Sequence, residues 1–493
     1  MKNHLNYLSL IFLYLLPFSL FAENWSQFRG PNGSGVVESA KPPLEFGADK
    51  NVSWKSPAPA GVSSPIVRGD HIFITGVDDG KLATVAYDAT SGKELWRRAV
   101  EPEEFEKTHV FSSPASSTPC TDGERVYVYF NSFGVIAYDF DGNEVWQRPL
   151  EMHKVQYGSG SSPVLINGHL IVQREGRPVD SHLLALDPET GETAWTISRP
   201  LSSGSHSTPI LWHHDGMEEL IVHGRGSVAA YDLDTRDINW WVDGWGWAAI
   251  PIAVVGDGML FIGSTGTGDP SEPLPNELDW TYLSANYDKD KDGALALAEI
   301  PDSAIWHMRP AVPLGMPGSS MKISSLLKYG DADKNGIVTE PEWADSMASD
   351  LSRDNRDRFV AIRPGGQGNA SDTHVVWETS KGLNEMPSPL YYRRHVYIVA
   401  DGGRMSVFQA KDGKRVLDRQ RVGADGQYVG SPIAANGYIY LTSERGTITV
   451  IRPGDELDVV AKNELGESIR STPAIAGNAL VVRTKDHLWS FGE

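Results

Sequence analysis

The chain has 493 residues, with 64 Asp and Glu against 44 Lys and Arg and a formal charge of −20, which excludes the basic surface that nucleic-acid binding needs. A hydrophobic content of 40%, with 49 glycines and 31 prolines, fits a turn-rich globular body and excludes a disordered or membrane-spanning one. The single cysteine, Cys120, rules out an internal disulfide and a Cys-x-x-Cys-His haem attachment.

Met1 to Ala22 carries Lys2 and His4, an apolar run from Leu8 to Leu16, and then Ser19-Leu20-Phe21-Ala22. This is the pattern of a secretory signal peptide cleaved after Ala22. The run is too short to span a bilayer and Pro17 interrupts it. The expected location is periplasmic or secreted, with no membrane span after cleavage.

From residue 23 to 268 the chain repeats itself. Asn51-Val52-Ser53-Trp54-Lys55 reads as the last strand of a repeat unit that has no unit before it. An eleven-residue phrase then recurs, first as Ala86-Tyr87-Asp88-Ala89-Thr90-Ser91-Gly92-Lys93-Glu94-Leu95-Trp96 and most cleanly from Ala185 to Trp195. Copies lie at Ala137 to Trp146 and at Ala230 to Trp240, where Arg236 stands in the glycine place. Worn copies without the tryptophan lie at Val407 to Leu417 and Val450 to Val460. A Ser/Thr-Pro step opens each unit, at Pro65, Pro119, Pro163, Pro209, Pro389, Pro432 and Pro473, with Ile250-Pro251 as the variant opening the fifth. Between step and phrase lie short alternating β-rich runs such as Val126-Tyr127-Val128-Tyr129, bounded by Gly, Asp and Asn. The count is eight units of three or four short strands each.

Trp240-Trp241-Val242-Asp243-Gly244-Trp245-Gly246-Trp247 offers rings that could stack on a flat ligand, although half of it ends a repeat strand. His109, His153, His206 and His223 lie near unit starts, where a base could face a central funnel; lone histidines are more often satisfied core residues. Gly263 to Gly268 reads as a turn, because no strand-then-helix unit surrounds it.

The fifth unit breaks off near Gly268 and resumes near Arg358, and the β pattern vanishes over 269–357. Helices are predicted at Asn276 to Asn286, Ser319 to Tyr329 and Glu342 to Leu351. Two twelve-residue loops in this insert match the EF-hand calcium pattern at its diagnostic positions. Calcium takes six to eight oxygens, so side chains at positions one, three and five converge on it, glycine at six turns the chain, the carbonyl at seven points inward, and glutamate at twelve adds two oxygens. The predicted ligands are Asp288, Asp290, Asp292, the Ala294 carbonyl and Glu299 in the first loop. In the second they are Asp331, Asp333, Asn335, the Ile337 carbonyl and Glu342. Ala296 at position nine leaves a place for water, and Pro301 curtails the first exit helix. Leu295 and Val338, at position eight, are expected to meet in a short β bridge.

Residues 358–493 complete the repeats. The last unit ends one strand short, and the Asn51 to Lys55 strand supplies what is missing. The expected fold is therefore an all-β, eight-bladed propeller of four-stranded antiparallel blades, closed by the N-terminal strand pairing with the C-terminal blade, with a small α-helical insert.

The phrase Ala-x-Asp-x-x-Thr-Gly-x-x-x-Trp resembles the tryptophan-docking motif of quinoprotein propellers. The opening Trp25-Ser26-Gln27-Phe28-Arg29-Gly30-Pro31-Asn32-Gly33-Ser34-Gly35 is similar to the start of pyrroloquinoline-quinone-like propeller proteins. The resemblance implies that Trp54, Trp96, Trp146, Trp195, Trp240 and Trp377 stack between neighbouring blades. It also implies one of two functions. Dehydrogenases of this kind hold the quinone and a calcium in the funnel, many with a pair of adjacent cysteines that this chain lacks. The outer-membrane assembly propeller is a cofactor-free scaffold. The expectation leans to a binding scaffold taking protein partners or a small ligand at a propeller face, with calcium in the insert and the quinone as the less favoured cofactor.

Overall fold

Each predicted unit forms one four-stranded antiparallel sheet, and eight such blades account for the β structure of the computed structural model apart from two short ladders in the insert and two added parallel strands. It describes residues 25–155, 157–176, 181–199, 204–224, 226–245, 249–264, 279–306, 320–344 and 357–492. The expected signal peptide and residues 265–268 of the glycine run lie outside these residues.

The first blade is built from Ile66–Arg68, His71–Asp78, Lys81–Asp88 and Glu94–Val100, paired in that order. The eighth has Ala474–Ala476, Ala479–Arg483 and His487–Phe491, and its outer strand is Val52–Pro57 from the other end of the chain. Lys55 stands opposite Trp489 in that antiparallel ladder, so the ring closes as the sequence predicts.

Apolar cores lie between blades rather than within them. Ile66, Phe73 and Trp96 of the first blade pack with Val126, Val128 and Tyr138 of the second, and the same face-to-face burial is repeated around the ring.

The Ser/Thr-Pro steps join the blades at the axis. The backbone N–H before each proline donates to the hydroxyl of the equivalent residue one blade on: Ser64 to Thr118, Thr118 to Ser162, Ser162 to Thr208, Ser388 to Ser431, Ser431 to Thr472 and Thr472 to Ser64, all at 2.9–3.0 Å. Proline suits this place because it begins a strand whose free edge needs no donor, and it holds the preceding residue extended. The fifth blade corrects the sequence expectation. Its first strand, Val254–Gly256, pairs Val254 with Phe261 as Ile66 pairs with Phe73, so Ile252-Ala253, and not Ile250-Pro251, stands at the joint. Ile252 N–H donates to Ser388 Oγ at 3.1 Å, but its side chain offers no hydroxyl to the fourth blade. Ser207 Oγ bridges that joint by donating to the Pro251 carbonyl at 2.9 Å. Thr118→Val removes an acceptor from a buried N–H and is expected to cost about 1–3 kcal/mol in urea unfolding, whereas the joint at Ile252 already lives without one.

The recurring phrase is an inter-blade latch. Its Asp caps the turn, as where Asp187 Oδ1 accepts from Thr190 N–H at 2.9 Å. Its glycine takes a left-handed conformation directly under the preceding blade's tryptophan: Gly191 has φ 71°, and a Cβ there would lie 2.5 Å from the Trp146 ring. The indole N–H then donates to a carbonyl of the same turn: Trp54 to Ala89, Trp96 to Phe140, Trp146 to Pro188 and Trp377 to Ala410, at 2.7–3.0 Å. Trp240 differs, because its Nε1 donates to Glu219 within its own blade while its ring meets Gly366 of the next.

Two seams have no tryptophan at all, while Trp195 packs between the third and fourth blades where Arg236 stands in the glycine place. The sixth blade presents Leu417 and the seventh Ala461 where the others present tryptophan. Both seams are crossed instead by residues 25–51. This segment begins at the first blade, where Trp25 bridges to Val67, and meets the second through the Ser26 carbonyl, which accepts from Thr121 N–H. Asn32 exchanges two hydrogen bonds with Leu211 of the fourth. A chain that touches first strands on opposite sides of the ring lies across one end of the axial channel. From there Arg29 Nη2 donates to the Pro389 and Pro432 carbonyls of the sixth and seventh blades at 2.9 and 3.3 Å. Val36–Val37 pairs in parallel beside Ala434 and Ala435, Glu38 accepts from Tyr392 and Arg393, and Phe46 stacks near Phe491 of the eighth blade.

The fifth blade is interrupted between Met259–Ser264 and Arg358–Ile362. The intervening described residues contain helices Trp280–Tyr287 and Ile323–Gly330, a short 3-10 turn at Leu297–Glu299 and a helical stretch at 340–344. They share a core of their own, with Leu283, Leu295, Ile323, Leu327, Val338 and Trp343 buried together. The first helix starts four residues later than predicted, at the Asp279 cap, whose carboxylate accepts from Tyr282 N–H at 2.6 Å. The rest of the third predicted helix, 345–351, lies outside the described residues. Among those residues no helix is long and apolar enough to cross a membrane.

Candidate metal centre and channel mouth

The two acidic loops have the same internal wiring. Each follows a helix of eight residues, Trp280–Tyr287 or Ile323–Gly330, which fixes where the first aspartate stands. Positions four and six are left-handed in both, Lys291 and Gly293 in one and Lys334 and Gly336 in the other. The glycine N–H donates back to the first aspartate, Gly293 to Asp288 Oδ2 at 3.1 Å and Gly336 to Asp331 Oδ2 at 3.0 Å. Position seven donates to position five, Ala294 to Asp292 and Ile337 to Asn335, at 2.8 and 2.7 Å. Ala294–Ala296 and Ile337–Thr339 pair antiparallel with Leu295 opposite Val338, the bridge the sequence predicts.

This wiring turns side-chain oxygens inward. Carboxylate oxygens of Asp288, Asp290 and Asp292 lie within 4.8 Å of one another, and so do those of Asp331, Asp333 and Glu342. Like charges so close repel unless a cation joins them. Asp288 Oδ1 is buried without a hydrogen-bond partner, an acceptor for which the protein supplies no donor. Glu299 stands apart from the first cluster: its carboxylate accepts from the N–H groups of Ala296, Lys289 and Asp290, which hold its pKa below the ordinary value. The Thr339 N–H, with its hydroxyl, does the same for Glu342. The donor set is all oxygen, hard and anionic, which fits calcium. Ala296 at position nine adds no side-chain oxygen, and Pro301 follows the single turn Leu297–Glu299 that replaces a first exit helix.

Of the candidate histidines, His206 and His223 meet backbone carbonyls, of Gly158 and Pro251. Burial lowers His206 and His223 to about 4 each, so both are neutral near pH 7. His223 Nδ1 lies 3.1 Å from the Pro251 carbonyl, and its ring meets the edge of Trp245. His109 packs on Tyr157, and His153 on His182. Trp245 is buried beneath Arg358, Trp241 donates to Asp243, and Trp247 lies outside the described residues, so the tryptophan-rich run is mostly packed within the blades.

Sequence reasoning missed the buried polar groups near these histidines. Arg199 Nε pairs with Glu175 at 2.8 Å with both side chains buried, Gln173 donates to the same carboxylate, and Arg199 reaches the Tyr231 hydroxyl. Glu106 is buried and accepts from Asn131 and from Ser159 N–H at 2.8 Å, and desolvation raises its pKa to about 7. Apart from Tyr231, none of these sits in a repeat phrase, so no spacing marks them. A raised carboxyl pKa favours the folded state below the unfolded value near 4.5, and that contribution is lost as pH rises through 7. The parent is expected to lose melting temperature between pH 4.5 and 7, and Glu106→Gln to flatten that fall.

A family model described as outer membrane protein assembly factor BamB matches residues 46–156, 83–241 and 351–486, more than half of the chain. Quinoprotein alcohol dehydrogenase PedH of Pseudomonas putida is 27% identical over 195 residues, 35% of this chain and 30% of its own length. Outer membrane protein assembly factor BamB of Burkholderia pseudomallei is 26% identical over 133 residues, 27% of this chain and 29% of its own length. Each match thus spans under a third of the relative. Among solved structures, BamB from Moraxella catarrhalis superposes with a TM-score of 0.48 at 11% identity, covering 88% of this chain and 97% of that one. The computationally designed Ika8 protein gives 0.49 at 11% identity, covering 89% and 98%.

Proposed function

The chain belongs to the outer membrane protein assembly factor BamB family, and from that membership we propose that it is a periplasmic or secreted propeller scaffold that binds protein partners. The observation that carries the reading is the segment 25–37 lying across the axis with Trp25 and Arg29 fully buried. It makes one end of the channel part of the packed structure and leaves the outer strands and the opposite mouth as the surfaces on offer. The chain also lacks the adjacent cysteine pair found beside the quinone in many alcohol-oxidising relatives. The N-terminal signal pattern supports export.

The insert is proposed as a pair of EF-hands. Asp288, Asp290, Asp292, the Ala294 carbonyl and Glu299 would hold one calcium, and Asp331, Asp333, Asn335, the Ile337 carbonyl and Glu342 the other. Calcium there supplies cross-linking charge rather than chemistry, holding both loops against their shared bridge.

The match to PedH favours a second reading, quinone-dependent oxidation of alcohols in the funnel. One experiment separates the two. Purified protein is titrated calorimetrically with pyrroloquinoline quinone in millimolar calcium, then assayed with an artificial electron acceptor against alcohols and sugars. The scaffold reading expects neither saturable heat nor turnover; micromolar binding with turnover replaces it by the second.

A further inference from the structure

A pocket of about 590 Å³ opens where the eighth, first and second blades meet. It lies off the axis, since its lining comes from three neighbouring blades of eight. Its walls are part apolar, from Val62, Val77 and Phe105, and its floor carries Arg483.

Arg483 is 1% exposed, and the acceptors around it are neutral. Nη1 donates to the Ser63 carbonyl and hydroxyl and to the Thr75 carbonyl, and Nη2 to the Pro59 carbonyl, at 2.6–3.0 Å. Nε has no partner. A buried guanidinium without a carboxylate keeps its desolvation cost, and burial brings its pKa down to about 10. Gly61, also in the lining, packs against it: a Cβ there would stand 2.8 Å from Nη2, so the backbone comes this near only as glycine. Lys485 also lines the pocket and makes no ion pair among the described residues. Arg470, at the rim, is already neutralised by Glu444 at 2.9 Å, and Asp486 is the one carboxylate in the lining. On a chain of charge −20, the pocket concentrates two uncompensated cations beside apolar walls.

We propose that this pocket binds a carboxylate carried on an apolar body. Two sources share that chemistry: a free small organic acid, and the C-terminal carboxylate of a peptide chain. The site stands independently of the scaffold reading.

The test titrates the full-length protein, by calorimetry at 0.15 M salt, with benzoate against benzamide and with acetyl-Gly-Phe against its C-terminal amide. Each acid is expected to bind at least tenfold more tightly than its neutral counterpart if it is the source, and the tighter acid names the source. Lys485→Gln, on the pocket surface and outside the core, is expected to weaken acid binding several-fold while leaving the melting temperature unchanged. Arg483→Lys, provided it melts cooperatively, retains most of the binding because the charge remains. Equal affinity for acids and amides, absence of binding by both acids, or unaltered acid affinity in Lys485→Gln overturns the proposal.

Discussion

Trp146→Ala is expected to destabilise the propeller by about 3–5 kcal/mol, the usual cost of removing a buried large ring. The ring fills the seam between the second and third blades, lies over Gly191 and donates to the Pro188 carbonyl. Its loss opens a cavity and removes one of the two donors to that carbonyl, the other being the Tyr127 hydroxyl. Gly191→Val attacks the same contact from the other side and should cost as much, since the residue is left-handed and its Cβ would press into the indole. Gly216→Ala is the control. Gly216 has φ 78° but open space around its missing Cβ, so only backbone strain of about 1 kcal/mol is expected. Urea midpoints measure all three; a Gly191→Val protein as stable as Gly216→Ala would show that the latch carries no weight.

The second large effect concerns the insert. On the proposed assignment, calcium at a hundred times its dissociation constant stabilises the folded loops by about 2.7 kcal/mol per site, and a chelator removes this. The insert has its own core, so calorimetry should show a separate transition that falls with EGTA while the propeller transition stays. Glu342→Gln, which neutralises a charge in the second cluster, should weaken one of the two sites by about two orders of magnitude. Identical melting curves with and without EGTA, together with no calcium heat, would remove the metal from the account.

The parts of this molecule that were legible in its sequence are those in which one physical demand recurs. Latch glycines and tryptophans answer the same steric problem at successive seams, and the axial hydroxyls answer the same unpaired N–H, so both leave a period. The fifth joint was misplaced because Ile252-Ala253 carries neither marker while a nearby proline, Pro251, imitates one. A better guide would have been the turn: Asp257-Gly258 lies two residues further from Pro251 than Gly69-Asp70 lies from Pro65. The turn geometry of the acidic loops is readable residue by residue, because the alternating Asp and Asn side chains and the glycine at position six fix where the backbone turns. Trp25 to Gly35 could be matched to other proteins but not placed, since its partners, Leu211, Pro389 and Pro432, are hundreds of residues away and no local periodicity encodes them. The buried carboxyl of Glu106 leaves no mark in the sequence because its partners, Asn131 and Ser159, sit in no repeat phrase.

The crossing of the sixth-to-seventh and seventh-to-eighth seams by residues 25–51 has a consequence for biosynthesis. Residues 25–51 leave the ribosome early but have to wait for the last part of the chain, because Val36 needs Ala434 and Phe46 needs Asn463 and Phe491. Until then Trp25 and Phe46 stay solvated, and the late wedges have nothing to grip. Assembly is therefore completed by joining the two extremities of the polypeptide, and a nascent chain arrested before residue 430 lacks the partners of Val36 and Phe46.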